Sequence, residues 1–200
     1  KIANDMQFLI SIVVIFRHKW IRLLNKLESI YYKNKLHSNS YFHIELPTHI
    51  SGIEHIQLRG SFQSLDGLRM SCITKYGGQT FNPQLVIENM VCLNRNVHIG
   101  CINRITIGQG TLIGSNVLIT DHSHGEKEYE LPLSYRPLYS KGPVEIGKNV
   151  WIGENICILP DVTIGDNCII GAGSIVTRSI PENSIAVGNP ARVVKQFSHA

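Results

Sequence analysis

The sequence predicts an all-β repeat protein, in which short strands wind around a three-sided core, with an α-helix in front of the repeat. Two observations predict this class. An aliphatic residue recurs every six positions between residues 146 and 176, and residues 5–33 carry apolar side chains at alternating spacings of three and four. Apolar residues make up 43% of the 200 residues and charged residues 17%, a composition that can bury a core.

The N-terminal segment, residues 1–36, is predicted to hold an amphipathic helix over residues 5–33. Its apolar positions form a heptad seam: Met6, Leu9, Val13, Phe16, Trp20, Leu23, Leu27 and Ile30. The seam favours packing on the prism or on sister helices of an oligomer. Arg17, Lys19, Arg22 and Lys26 beside the seam leave peripheral membrane contact as the alternative.

The six-residue repeat predicts a triangular coil. Its clearest aliphatic positions are Ile146, Ile152, Ile158, Ile164, Ile170 and Val176, and the same phase appears upstream at Ile87, Leu93 and Ile99. Six residues make one short strand and a tight turn, so three such units make one coil, and coils stack about 4.8 Å apart. Ile146 should therefore stack on Ile164. Gly, Asn and Asp at the corners, such as Gly147, Asn149 and Asn167, suit a left-handed backbone.

Two interruptions divide the repeat, which is predicted over residues 85–180. Residues 37–84 lack the hexad and are expected to form irregular first coils that cap the stack. Residues 123–143 break the hexads as a loop of about 20 residues, a length that is usually functional. Residues 181–200 form a C-terminal tail after the last coil.

Charge and cysteine content exclude several function classes. The net charge is only +4, and no basic run is interleaved with aromatic residues, so we expect no nucleic-acid partner. The longest apolar run, residues 8–16, is shorter than the roughly 20 residues of a bilayer span. Five cysteines without a CxxC pair indicate reduced thiols in a cytoplasmic protein.

The long loop opens with two histidines, His122 and His124, where the last regular strand ends. A neutral imidazole, with an ordinary pKa of about 6.5, is a suitable general base near pH 7. The competing hypotheses are a pair of solvated loop histidines and a zinc site. His98, His122 and His124 offer three nitrogens for zinc, although the spacing does not show that they meet.

At this point the chain resembles a known family. Residues 147–153 read Gly-Lys-Asn-Val-Trp-Ile-Gly, residues 170–178 read Ile-Gly-Ala-Gly-Ser-Ile-Val-Thr-Arg, and residues 188–193 read Gly-Asn-Pro-Ala-Arg-Val. These strings, over roughly residues 85–197, resemble the hexapeptide-repeat acyltransferases. The most similar group is that of the maltose and galactoside O-acetyltransferases, with their relatives in surface-polysaccharide biosynthesis. The resemblance implies a left-handed parallel β-helix, assembled as a homotrimer with active sites between neighbouring prisms.

The resemblance also implies roles on the acceptor side. The family's catalytic histidine begins the long loop and matches His122. Where many relatives read Gly-His-Pro, this chain reads Asp-His-Ser, so His124 stays a second candidate for the base. An asparagine on an earlier coil helps to hold the acceptor in relatives, and it matches Asn94, with Asn96 as the fallback. Asp121 is expected among the substrate-binding residues.

On the donor side, the resemblance implies acetyl-CoA as co-substrate and no metal. Trp151 falls where the family packs an indole beside the acyl-CoA. Ala172 and Gly173 would let the pantetheine arm lie close to the prism wall. Thr177, Arg178 and Arg192 match the positions that meet the nucleotide end of coenzyme A, and guanidinium groups suit its phosphates.

The function predicted from these residues is acetyl transfer from acetyl-CoA to a sugar hydroxyl, with His122 as base, in surface-polysaccharide biosynthesis. Three alternatives stay open. One is an acetyltransferase for an antibiotic or another small hydroxylated molecule. Another is a zinc hydratase of the γ-carbonic-anhydrase type on the same prism. The third is a repeat protein whose coils only mediate assembly.

Overall fold

The computed structural model describes residues 2–125 and 130–197, and it describes the side chains of Ser11 and of those residues from Val13 onward. Residues 126–129 of the predicted loop and 198–200 of the predicted tail lie outside this part of the chain. So do the side chains of Met6 and Leu9, the first two positions of the predicted seam.

The chain begins with helix α1, Ile2–Lys35, and continues almost entirely in short strands. The strands of the first half are β1 Phe42–Ile44, β2 Thr48–Ser51, β3 Ile56–Leu58, β4 Phe62–Ser64, β5 Leu68–Cys72, β6 Lys75–Tyr76, β7 Gln79–Thr80, β8 Gln84–Ile87, β9 Val91–Leu93, β10 His98–Cys101 and β11 Arg104–Ile107. Those of the second half are β12 Leu112–Ile113, β13 Leu118–Thr120, β14 Ser123–His124, β15 Leu138–Tyr139, β16 Val144–Ile146, β17 Trp151–Ile152, β18 Cys157–Ile158, β19 Val162–Ile164, β20 Ile169–Ile170, β21 Ile175–Val176, β22 Ser184–Val187 and β23 Arg192–Gln196. Short 3-10 helices span Ile53–His55 and Leu133–Tyr135.

These strands build the three walls of a prism, and the chain visits the walls in turn. Wall A has the order β1-β4-β9-β12-β17-β20-β22-β23, wall B has β2-β5-β10-β13-β18-β21, and wall C has β19-β16-β11-β8-β3. Neighbouring strands pair in parallel, except for β22 with β23 at the far end of wall A. The architecture is therefore a parallel β-helix of hexapeptide-repeat type preceded by a helix, as predicted.

The core is the stack of aliphatic side chains inside the prism. Ile146 pairs in register with Ile164, and Ile152 with Ile170, which confirms the predicted stacking of every third hexad. All six hexad residues between positions 146 and 176 are buried. Burying an isoleucine side chain stabilises a protein by about 1.5–3 kcal/mol, so the repeated stacks dominate the stability of the fold.

Asparagines with left-handed backbone build ladders at two corners of the prism. Asn149 and Asn167 have positive φ angles of 53° and 57°, and the Asn149 side chain donates to that of Asn167 at 3.4 Å. Gly147 behaves differently from the prediction because its φ is not positive. A Cβ there would overlap Asp166, so this glycine is required by the close approach of two coils.

Residues 37–84, predicted to form irregular first coils, form coils that pair in parallel with the rest of the prism but differ in length from the regular ones. Phe42 pairs with Phe62 on the next coil, and Phe62 pairs with Val91 on the coil after that. Because both of these coils are longer than three hexads, their core positions do not repeat with the hexad phase. Larger side chains occupy the core here, and the rings of Phe42 and Phe62 stack with centroids 5.6 Å apart.

Helix α1 packs on the first coil through a face that carries Asn25 and Ser29 and, nearer its end, Tyr32, with Leu36 directly after the helix. Ser29 accepts a hydrogen bond from the backbone of Ile44 at 3.0 Å, and Asn25 accepts one from Leu46 at 3.1 Å. The predicted seam does not face the prism, since its described members from Val13 to Ile30 are all exposed. The prediction that the seam packs on the prism is wrong, because the short polar side chains are the ones that satisfy the edge strand.

No helix in the described part of the chain combines the length and the apolar character needed to cross a membrane.

Candidate active site

Two excursions leave the prism at the same corner, between walls B and C, which we call the BC corner. The first, residues 73–81, carries the β6–β7 hairpin, and the second follows β13 and carries the antiparallel pair β14–β15. The predicted loop is therefore partly ordered as strands. The Tyr76 hydroxyl donates to the carbonyl of Ser134 at 2.7 Å, so each excursion supports the other.

Asp121 lies beneath this corner with no exposed surface. Its carboxylate accepts hydrogen bonds from the backbone N–H groups of Ile102 at 2.9 Å and Asn103 at 2.8 Å, both from the preceding coil. The Cys101 thiol donates to the same carboxylate at 3.4 Å. The expectation that Asp121 binds substrate does not fit this placement, because its oxygens are fully enclosed by the protein.

The His122 ring contacts the Asp121 carboxylate. Its Nδ1 lies 3.0 Å from Asp121 Oδ1, and Thr120 Oγ1 lies 3.3 Å from the same nitrogen. Nδ1 faces a carboxylate that can only accept, so the proton of the neutral ring resides on Nδ1. Nε2 then carries the lone pair, and in the described part of the chain it has no hydrogen-bond partner. The ring is therefore oriented to take a proton at Nε2.

His98 adjoins His122 on wall B, a neighbour that spacing alone did not indicate. A Cβ placed on Gly100 would lie 3.1 Å from His122 Cε1 and 3.8 Å from His98 Nε2, so both rings border the space above this glycine. Burial lowers the pKa of His98, and the positive charges of Arg69 and protonated His122 lower it further. The pairing of Gly100 with Thr120, one coil later, is the signal that places these histidines together.

His124 has different surroundings from His122. It is exposed, and its ring meets the edge of the Tyr76 ring with centroids 5.5 Å apart. Among the described residues no carboxylate orients it. The described residues also contain no group of three or more His, Cys, Asp or Glu side chains that could hold a metal ion.

The buried thiol of Cys101 completes the support under His122. Its hydrogen bond with Cys72, its burial and the negative charge of Asp121 all raise the pKa of the Cys101 thiol. The thiol therefore keeps its proton and can act as a donor to Asp121. The sequence indicates only a structural thiol at this position, because the neighbours of Cys101 come from other coils.

Three of the predicted donor-side residues, Trp151, Ala172 and Gly173, lie at or beside the next corner, between walls A and B, which we call the AB corner. Asn94, predicted on the acceptor side, lies there too. A groove of about 600 Å³ there brings together Asn94, Trp151 and Ala172. Trp151 is 53% exposed on wall A, and Gly173 turns the chain with a φ of 73° beside Ala172. Arg192 is exposed where β23 begins, after a turn in which Ala191 pairs with the backbone of Ile175 on wall B.

The remaining predicted residues are divided between the two corners. Thr177 and Arg178 are exposed after β21, at the BC corner of the last coil. Asn96 belongs to a ladder, since its side chain donates to Asn116 at 3.0 Å and its φ is 56°. The fallback role of Asn96 in acceptor binding stays a prediction, and its exposed side chain already donates to Asn116.

Comparisons with known proteins agree with this architecture. The family model described as bacterial transferase hexapeptide (six repeats) matches residues 143–178. The chain is 38% identical over 163 residues to the Escherichia coli K12 protein described as “Putative lipopolysaccharide biosynthesis O-acetyl transferase WbbJ”, covering 78% of this chain and 79% of that protein. The chain belongs to the hexapeptide-repeat acyltransferases. It is an enzyme of that class.

Further relatives of this acyltransferase family share parts of the chain. The galactoside O-acetyltransferase of Escherichia coli K12 is 47% identical over 94 residues, which cover 47% of this chain and 45% of that protein. Among solved structures, the N-acyltransferase AntD from Bacillus cereus has a TM-score of 0.66 at 20% identity, over 80% of this chain and 81% of that one. This likeness shows the shared fold.

Proposed function

We propose that the protein is an O-acetyltransferase that transfers an acetyl group from acetyl-CoA to a hydroxyl of a sugar in surface-polysaccharide biosynthesis. The observation that carries the proposal is the pair of Asp121 and His122. A buried carboxylate fixes the ring through Nδ1, and Nε2 is left to act as general base. Attack by a hydroxyl requires such a base, because the hydroxyl must lose its proton as it bonds to carbon.

His122 takes the proton of the attacking hydroxyl at Nε2 while the sugar oxygen bonds to the thioester carbonyl carbon. Acetyl-CoA supplies the acetyl thioester when it is bound. Asp121 holds the imidazolium that forms and keeps the ring in place. His122 then returns the proton to the sulfur as the carbon–sulfur bond breaks, which leaves an acetyl ester and a free thiol. Such a base contributes about 10²–10⁴-fold to the rate.

The groove at the AB corner suits a coenzyme A arm. Its lining includes Gly153, Gly171 and Ala172, where an extended chain can lie close to the backbone. The exposed indole of Trp151 offers an apolar surface beside it. Arg192 is an exposed cation near the last coil on this side that can bind phosphates, whereas Arg178 lies at the BC corner. We therefore assign the donor to this groove.

The site is complete only with a neighbouring copy of the chain. Wall B separates the AB corner from the BC corner by a strand and its turn, roughly 17 Å for about five residues at about 3.3 Å each. His122 must come within hydrogen-bond reach of the reacting hydroxyl, about 3 Å. We infer a homotrimer, wound left-handed as its family is, in which His122 of one copy meets the Trp151 groove of the next.

The names of the sequence relatives support a hydroxyl acceptor. The Escherichia coli relatives that match over 163 and 94 residues are both named O-acetyltransferases. The longer match is named for lipopolysaccharide biosynthesis, which is why we propose a glycan precursor as the acceptor.

All five cysteines are free thiols. This supports our inference that the enzyme works in the cytoplasm, where thiols stay reduced.

The test is a paired substitution of the two loop histidines. We expect His122→Ala to lower acetyl transfer from acetyl-CoA to a panel of sugars by about 10²–10⁴-fold, with an unchanged melting temperature. His124→Ala is the matched control and should retain activity within a few-fold. If His124→Ala abolishes transfer while His122→Ala does not, the assignment of the base is wrong. Transfer only to amino sugars would replace O-acetylation by N-acetylation.

A further inference from the structure

Helix α1 carries an exposed apolar seam that the rest of the described chain leaves uncovered. Phe16 is 69% exposed and Trp20 62% exposed, and Val13, Leu23 and Leu27 continue the seam on the same side. Every described side chain between residues 11 and 23 is exposed. An apolar seam of this length in water is unfavourable, so another surface is expected to cover it.

From Met6 to Leu27 the charged residues beside the seam are all positive, and Glu28 is the one carboxylate between there and the last seam member, Ile30. Residues 6–27 contain Arg17, Lys19, Arg22 and Lys26 and contain no aspartate or glutamate. Arg17 and Lys19 flank the seam on its two sides, and Lys26 continues the second flank. The surface that covers the seam must therefore tolerate or attract several cations.

A basic cleft lies between helix α1 and β1, next to the seam. Its volume is about 430 Å³, and it is lined on the helix side by Arg22, Lys26 and Lys33. On the β1 side His43 Nε2 lies 3.6 Å from Glu45 Oε1, and Glu45 is the one carboxylate among the residues that line this cleft. Three cations against one anion make the cleft suitable for a phosphate group.

Charge decides between two occupants of the seam. A second copy of the helix would bring Arg17, Lys19 and Lys26 against the same cations of its partner, at the positions that coiled coils fill with opposite charges. An anionic bilayer surface accepts the apolar seam at the boundary of headgroups and acyl chains and attracts the flanking cations. The apolar seam with its basic flanks, and the basic cleft beside the Lys26 flank, match the second case.

We propose that helix α1 docks the enzyme on an anionic phospholipid surface, with the seam in the interface and a lipid phosphate in the basic cleft. This inference does not depend on the acetyl-transfer reaction. It places the prism beside a membrane, where a lipid-linked glycan acceptor would be concentrated.

Vesicle sedimentation with the full chain tests the proposal. We expect the protein to bind vesicles of phosphatidylcholine and phosphatidylglycerol at least about tenfold more tightly than vesicles of phosphatidylcholine alone, because each basic residue near the surface contributes about 1 kcal/mol. Raising the salt to about 1 M should remove most of this difference, since screening shortens to about 3 Å. Equal binding to both vesicles, or no binding, overturns the proposal.

Two double variants separate the seam from the charges. Phe16→Glu with Trp20→Glu should abolish vesicle binding, and Arg22→Glu with Lys26→Glu should lower it at least about tenfold. The matched controls are Val194→Glu and Lys195→Glu on β23, at the opposite end of wall A, and both should bind as the wild type does. Circular dichroism verifies the fold of each variant.

The oligomeric state gives the competing outcome. Light scattering should find the same mass for the wild type and for Phe16→Glu with Trp20→Glu. If that variant dissociates the assembly, a second copy covers the seam and the membrane proposal is wrong. Charge-reversed variants that still bind anionic vesicles as tightly as the wild type would also overturn it.

Discussion

The regular coils of residues 144–180 and the BC corner around His122 are built on opposite principles. In the regular coils each contact is repeated in the next coil, as when Val144, Glu145 and Ile146 pair with Val162, Thr163 and Ile164. At the BC corner each contact occurs once, as when Asp121 receives the N–H groups of Ile102 and Asn103. The repeated contacts hold the fold, and the single contacts hold the proposed base.

Because the two regions are built differently, substitutions in the regular coils should change mainly stability and substitutions at the BC corner mainly activity. A repeated stack loses one member of many when it is mutated, and the coils above and below still hold the chain. A single contact at the BC corner has no such substitute, so its loss should directly change the position or protonation of the His122 ring. Matched variants of the two regions therefore test whether activity and stability respond to different contacts.

The largest effect is expected for Asp121→Asn. The carboxamide can donate to His122 Nδ1, which would move the ring proton to Nε2 and remove the lone pair that the base needs. We expect kcat to fall by about 10²–10⁴-fold. Steady-state kinetics with acetyl-CoA measure the loss.

The control for Asp121 is Asp166→Asn in the regular coils. Asp166 accepts the N–H of Lys148 at 2.7 Å, so it has the same type of backbone partner at a corner without a histidine. Its amide oxygen can keep that bond, and activity should stay near that of the wild type. Equal losses in both variants would mean that Asp121 acts only through stability.

A smaller effect is expected for Gly100→Ala. The new Cβ would lie 3.1 Å from His122 Cε1, which is shorter than an ordinary van der Waals contact between carbon atoms. The ring must therefore shift by a few tenths of an ångström. Catalytic geometry is sensitive to such displacement, and we expect activity to fall by about tenfold or more with little change in melting temperature. Kinetics and thermal denaturation of the same sample measure both.

Gly108→Ala is the counterpart in the stacked coils. There the Cβ would overlap the backbone of Gly147 and Lys148, which cannot move without separating two coils. This variant should lose melting temperature, and the Gly100 variant should lose activity. Equal losses of activity and of melting temperature in the two variants would show that the site and the stack respond to strain in the same way.

Cys101→Ala probes the support under Asp121 and should have a modest effect. Cys101 donates to Asp121 at 3.4 Å and also lies 3.6 Å from the carbonyl of Gln84, while Cys168 donates to the carbonyl of Pro181 at 3.0 Å. Replacing either buried thiol should cost about 1–2 kcal/mol of unfolding free energy. Only Cys101→Ala should lower kcat, by about 2–10-fold, because only that thiol contacts the partner of His122. An unchanged kcat would remove Cys101 from the positioning of the base.

The sequence predicts the two regions unequally, for a physical reason. The period of six identifies Ile146 and Ile164 as stacking partners because each coil repeats the requirement of the last. The burial of Asp121 has no such signature, since its donors lie on the preceding coil, and that coil is longer than three hexads. The contact between Tyr76 and Ser134 joins two separate excursions, so no local pattern could have indicated it. The helix seam was visible as a heptad, but which face meets the prism depended on Asn25 and Ser29, whose polar side chains satisfy the backbone of an edge strand.

The smallest effect is expected in the acid sensitivity of the two regions. Residues 144–180 contain no histidine, whereas the BC corner holds His98, whose pKa is lowered by burial first and then by Arg69 and His122. Below the ordinary pKa of about 6.5 the unfolded chain binds a proton more readily than the folded one, so stability must fall as the pH falls through and below about 6.5. In His98→Asn this contribution is absent, and its melting temperature should decline less between about pH 7 and pH 5, by a few degrees at most. His18→Asn on the exposed part of helix α1 is the control and should follow the wild type. If the melting temperatures of the wild type and of His98→Asn decline equally between about pH 7 and pH 5, His98 does not contribute to the acid sensitivity of the protein.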